Sequence, residues 1–267
     1  WWQETFLKDH FADKDFLYHV LLMPYASGDL ERSGKAASIA FAVALYAAMF
    51  ASLAWLRAPA PAGWALAALL SSTTLLYRTG LLRSHVLAIA LAMLGAAAIL
   101  RQRRWWTAAL SAAYALAHIA WHLLPGIALL HDVVRSVREK KARFGGTLAS
   151  LAGTGGAVLL SPYFPENLKL WWVQNVDVLS MAWSPGAPDL GLGTEFLPAR
   201  PVPLLYQNIG SALLTLTGLY LLLAARRDLD GRPQRDPAAI TLGLITVGFV
   251  ALSLTIRDDA SHAVRED

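Results

Sequence analysis

Asp13 and Asp15 stand two residues apart around Lys14, with His10 and His19 on either side, inside an acidic, aromatic segment spanning residues 1–25. Two carboxylates at that spacing can share a hard divalent cation, Mg or Mn, where the chain is extended or turned. On a regular helix they point apart. Asp15 and His19 are spaced i,i+4 and can meet on one helical face. A carboxylate beside an imidazole orients the ring and raises its basicity, as a general base requires. The plainer alternative is an interfacial helix with a solvated acidic face, its Phe6, Phe11, Phe16 and Val20 dipping into lipid.

Four other constellations could carry chemistry. Ser161-Pro162-Tyr163-Phe164-Pro165-Glu166-Asn167 places two prolines after an apolar run, which forces an extended turn and leaves Glu166 and Asn167 for polar contacts. Residues 191–201, GLGTEFLPARP, put Glu195 between glycines and an interfacial Phe196-Leu197, with Arg200 able to pair a phosphate. They lack the Lys-Ser/Thr of a phosphate-binding loop. Arg78, Arg83 and His85 cluster in a tight loop, where a lipid phosphate or snorkelling to headgroups accounts for the charge. His118 and His122 are i,i+4 and suggest a hydrogen-bonded pair inside a bundle before a metal site. No HExxH, Ser-His-Asp pattern or glycine-rich nucleotide fingerprint is evident.

The elements that must position these residues read as membrane helices. Of the 267 residues 56% are hydrophobic and only 16% charged. The mean hydropathy is +0.43. Soluble chains run about 45–50% apolar and 25% charged. Ten tryptophans suit aromatic belts at a bilayer interface. There is no cysteine, which excludes disulfides, thiolate metal sites and cysteine nucleophiles. The pI near 9.4 reflects helix-orienting basic loops. No basic stripe interleaved with aromatics supports nucleic-acid binding.

Apolar runs fall at 36–56, 63–77, 84–100, 147–160, 202–225 and 238–256. Residues 105–134 are too long for one straight crossing and too short for two full ones. Their charge context decides. The positive-inside rule places the basic loops 101–104, 135–143 and 226–235 on one side only if residues 105–134 form a helical hairpin with its tip at 118–122. The expected fold class is all-α: a polytopic transmembrane bundle of about seven to eight membrane helices with an interfacial N-terminal helix. Residues 1–35 form an outer-face segment, 36–256 the bundle with an outer loop at 161–201, and 257–267 a polar tail. The chain is expected to be a piece of a longer protein of a prokaryotic cell membrane, its site on the outer face.

Asp13-Lys14-Asp15-Phe16-Leu17-Tyr18-His19 is similar to the DxD-type motif of the GT-C superfamily of membrane glycosyltransferases, which includes oligosaccharyltransferase catalytic subunits. Ser161-Pro162-Tyr163-Phe164-Pro165 resembles the proline-aromatic turn ending a core helix in several members, and Glu195 stands where some carry a later outer-loop acid. The resemblance implies transfer of a sugar from a polyprenyl-phosphate carrier on the outer face. It gives Asp13, Asp15, His19 and Glu195 catalytic places, Asp13 and Asp15 the metal, and Arg78, Arg83 and Arg200 the phosphate. The family's first acidic motif is absent and is expected upstream of Trp1. The oligosaccharyltransferase WWDYG-type motif is absent too, since Trp171-Trp172 continues as Val-Gln-Asn, so no peptide acceptor is implied. The rival classes are a transporter or flippase and a structural membrane subunit. A transporter predicts charged residues midway through helices, and the apolar runs carry few.

Overall fold

The computed structural model describes residues 11–26, 28–177 and 180, together with helical positions scattered between 209 and 246. Every regular element among the described residues is helical. A short helix, α1 (Phe16–Leu22), leads into a 3-10 turn at Met23–Tyr25. The long helix α2 (Leu30–Trp55) begins where the Asp29 carboxylate accepts the Glu31 and Arg32 backbone N–H groups, at 2.9 and 3.4 Å. Such a cap satisfies donors that the first turn leaves orphaned.

The apolar run at 63–77 is not one helix. It is split into α3 (Pro61–Leu70) and α4 (Thr73–Thr79). Ser72 accepts the Leu75 N–H at 3.1 Å and starts a new helix, while the Ser71 hydroxyl turns back to the Ala68 carbonyl at 2.7 Å. Serine side chains compete in this way with a continuing backbone ladder. Next come α5 (Ser84–Leu100), α6 (Arg104–Ala117), α7 (Leu123–Glu139), α8 (Gly145–Leu160) and α9 (Glu166–Trp172).

The stretch at 105–134 breaks at residues 118–122, as the charge argument expected. Pro125 falls in the first turn of α7, where its missing N–H costs nothing. The arms α6 and α7 do not pack chiefly on each other. Both pack between α5 and α8. Direction alternates along the chain, so residues near 102–106 and 139–146 share one end of the bundle. The residues around 13–19, 85, 118–122 and 161–171 share the other.

Helices α6 and α8 run in the same direction and come into backbone contact at Gly153 and Ala108. A Cβ at Gly153 would strike the Ala108 carbonyl, and the Ser111 and Ser150 hydroxyls bond at 2.8 Å with both residues buried. Small residues and hydroxyls permit this approach, as in membrane bundles. The core on the other flank is Tyr18, Phe41, Leu45, Met49, Val86 and Leu87.

Among the described residues one helix, α2, is long and apolar enough to cross a membrane. Most of its surface points outward, with Ile39, Val43 and Phe50 exposed. Leu66, Leu70, Leu148, Leu151, Leu159 and Leu160 are exposed as well. Apolar surface on this scale needs a cover. The other apolar helices are shorter than a full span: α5 has 17 residues, α8 has 16 and α3 has 10. The expected count of about seven to eight spanning helices is therefore not reached by length among the described residues. The 105–134 and 63–77 stretches are divided, and the runs at 202–225 and 238–256 lie largely outside the described residues.

Candidate functional site

The DxD segment sits at the entry to α1. Asp13 precedes the helix and folds back over it, its Oδ1 accepting the Asp15 N–H at 3.0 Å. Its Oδ2 lies 2.6 Å from His19 Nδ1. The Asp13 side chain is 13% exposed and the His19 side chain 55%. The carboxylate is thus held in the protein and the ring faces outward. The expected Asp15–His19 pairing is corrected to Asp13–His19. Asp15 is the N-cap of α1, outside the helix proper, so i,i+4 spacing does not bring its side chain to His19.

Asp15 turns inward instead. It is buried, and its Oδ1 lies 3.6 Å from His118 Nδ1. Burial alone would raise its pKa. The contact with His118, the Lys14 charge and the Ser84 hydroxyl outweigh burial and hold it below the ordinary value of 3.8. Three buried polar atoms cluster here without a hydrogen-bond partner that meets normal geometry: Asp15 Oδ1, His118 Nδ1 and the Tyr18 hydroxyl. Native proteins rarely leave such atoms unpaired, and those they do leave call for an explanation.

His118 reaches this place because α6 stops at Ala117. Its backbone is extended, at φ −158° and ψ 140°. The expected His118–His122 pair is therefore not formed. His118 lies against His85, ring centroids 5.4 Å apart, and against Tyr114. His122 Nδ1 instead accepts the Trp171 indole N–H at 3.1 Å. Trp171 stacks on Trp121 at 4.8 Å. Neither the stack nor the Ser84 and Tyr18 contacts were signalled by sequence, because each depends on helices far apart in the chain.

The proline turn closes the same end. Tyr163 packs edge-on against Phe11 and Phe16, at 5.6 and 5.9 Å. Asn167 donates to the Val158 carbonyl at 2.9 Å and so satisfies the end of α8. Glu166 pairs with Lys169. A crevice of about 20 Å³ lies between Asp13, Lys14, Trp121, Ser161 and Asn167, about the room for one water. The DxD segment and the turn that opens the expected outer loop thus adjoin, as sequence suggested.

Arg83 caps α5 immediately before Ser84, and Arg78 is exposed in α4. Lys14 and Arg78 both exert a field on His85, so positive charge borders the cluster. Asp13 and Asp15 serve different imidazoles. Among the described residues no group of three His, Cys, Asp or Glu side chains is arranged to hold a metal ion. Glu195 and Arg200 lie outside the described residues. Comparison with known proteins finds no matching family model, no matching curated protein and no matching solved structure.

Proposed function

We propose that this chain is the bilayer-embedded core of a glycosyltransferase that moves a sugar from a polyprenyl-phosphate carrier, with Asp13 and His19 as its acid–base pair. The observation that carries the reading is the 2.6 Å contact between a mostly buried carboxylate and an outward-facing imidazole. A carboxylate on Nδ1 fixes the proton there and leaves Nε2 free to accept one. In the reaction, Nε2 takes the acceptor hydroxyl proton and the acceptor oxygen bonds to the anomeric carbon. The bond from that carbon to the carrier phosphate breaks, its electron pair leaving with the phosphate. Lys14, Arg78 and Arg83 border the site and offset the charge that develops there. The Trp121–Trp171 stack offers a flat apolar face nearby for a sugar ring.

The outward apolar surface of α2 and α8 is the reason for placing the bundle in lipid, and the charge asymmetry of its loops for placing the site on the outer face. Asp13 and Asp15 are also the groups that a divalent cation would take, with His19 and His118 displaced.

The test uses the full-length protein in vesicles with a labelled polyprenyl-phosphate sugar and a hydroxyl acceptor. Transfer by wild type is expected to fall to background in both Asp13→Ala and Asp15→Ala. Transfer abolished by chelation and restored by Mg or Mn assigns the carboxylates to metal. Full activity in both variants removes them from the mechanism.

A further inference from the structure

At the opposite end from the Asp–His cluster, a cavity of about 230 Å³ opens between the start of α6 and the start of α8. Its lining carries four cations, Arg104, Arg135, Lys141 and Arg143, against one acid, Asp132. Asp132 is already committed. Its Oδ2 accepts the Thr147 N–H at 2.8 Å and the Thr147 hydroxyl at 2.9 Å. Glu139 engages Arg135 and Arg143, at 2.7 and 2.9 Å. Among the described residues no carboxylate pairs with Arg104 or Lys141.

Two further observations point to a ligand. Thr107 is one of the residues around this cavity, is 1% exposed, and its hydroxyl has no hydrogen-bond partner. A buried hydroxyl left unpaired carries an uncompensated loss of hydration. Second, the Arg104 guanidinium lies directly over the Cα of Gly145, where an added Cβ would be 2.6 Å from it. Gly145 is the first residue of the 16-residue helix α8. A helix start carries partial positive charge and welcomes anions. The Asp132 carboxylate, bonded to the Thr147 N–H and lying against Gly146, answers one positive charge at this helix start and leaves the other cations of the lining unmatched by it.

We propose that this cavity binds a phosphate ester. Arg104 and Lys141 would supply charge, Thr107 a hydroxyl donor, and the first turn of α8 backbone N–H donors, the combination that phosphate recognition uses. Phe144 lines the cavity, and Arg104 also borders a neighbouring cleft lined by Trp55, Trp105 and Trp106. A phosphate presented by a lipid headgroup and a soluble phosphate share this chemistry. The inference is independent of the glycosyltransferase reading, because none of its residues belongs to the Asp–His cluster.

The experiment is thermal denaturation of the purified full chain in two settings. In neutral detergent it is titrated with inorganic phosphate. In phosphatidylcholine nanodiscs it is compared with and without phosphatidic acid. Stabilisation in both settings identifies a site open to soluble phosphate, and stabilisation by phosphatidic acid alone identifies a headgroup site. Arg104→Gln and Thr107→Val are each expected to weaken the effect at least about tenfold. Gly145→Ala, which displaces the guanidinium without breaking the helix, is expected to weaken it also. Arg138→Gln, exposed and outside the cavity, is expected to leave it intact. No stabilisation in either setting overturns the proposal. So does stabilisation that survives Arg104→Gln and Thr107→Val, or that Arg138→Gln reduces equally, since general surface charge then explains it.

Discussion

Replacing Asp13 by Asn removes a charge while keeping its shape, and His19 makes the consequence specific. Asp13 Oδ1 accepts the Asp15 N–H at 3.0 Å, and an Asn oxygen can still do so. Loss of folding stability is therefore expected to stay below about 1 kcal/mol, the usual scale of a whole cap. The other half of the side chain changes role. With oxygen kept toward the Asp15 N–H, the Asn nitrogen faces His19 Nδ1 and donates to it. The imidazole proton then moves to Nε2, the atom that in the proposed mechanism accepts the proton of the acceptor hydroxyl. A base in the wrong tautomer forfeits about 10²- to 10⁴-fold in rate, equivalent to about 3–5 kcal/mol of transition-state stabilisation. His19→Gln removes the base outright and is expected to cost the same. The double variant is expected to be no slower than the slower single one, because groups acting as a unit are not additive. The assay is kcat for sugar transfer in vesicles across pH for all four proteins, with melting curves alongside. Rates within about threefold of wild type for Asp13→Asn, against the decades expected of a general base, would refute the pairing. Losses that simply add would refute it too.

Asp15 gives a stability prediction with a definite sign. Its folded pKa is lowered from 3.8, so its contribution is fully present above that value and is lost as pH falls below it. Melting temperature is expected to drop on acidification in that window, and Asp15→Asn is expected to flatten the drop. Gly153→Val must push α6 from α8 and is expected to cost at least about 1–3 kcal/mol. Gly155→Ala meets nothing within 4 Å and is expected to be neutral or to stabilise by about 0.5–1 kcal/mol; equal melting temperatures for the two would contradict the direct backbone contact. Single cysteines at Arg103 and Arg138, in a chain that has none of its own, are expected to react with an impermeant reagent from the same side of the membrane. Labelling from opposite sides would reject the antiparallel arrangement of α6 and α7.

The parts of the fold that sequence revealed are those set by charge and composition. The helical class followed from apolar content, and the break at 118–122 from the basic loops on both sides of it. Periodicity failed where a helix ends. His118 and His122 have i,i+4 spacing, yet His118 is extended and faces Asp15. Asp15 and His19 have the same spacing, yet Asp15 is a cap residue. The division at Ser71 and Ser72 was hidden because leucines continue on both sides, and only a hydroxyl bonding to Leu75 N–H shows it. The Trp121–Trp171 stack joins residues 50 positions apart, which no local pattern reports.

The seam between α6 and α8 also sets how α6 can move. At about 1.5 Å per residue its 14 residues form a rod about 21 Å long. Arg104 stands at one tip and His118 just beyond the other. Between them, Ala108 rests on Gly153 and Ser111 is tied to Ser150. The packing continues to both ends, with Arg104 over Gly145 at one and Ala115 and Leu116 beside Ala157 and Val158 at the other. Sliding or rolling α6 against α8 would break the Ser111–Ser150 bond and drive Ala108 into Gly153, so Arg104 and His118 are carried on a rod fixed to α8.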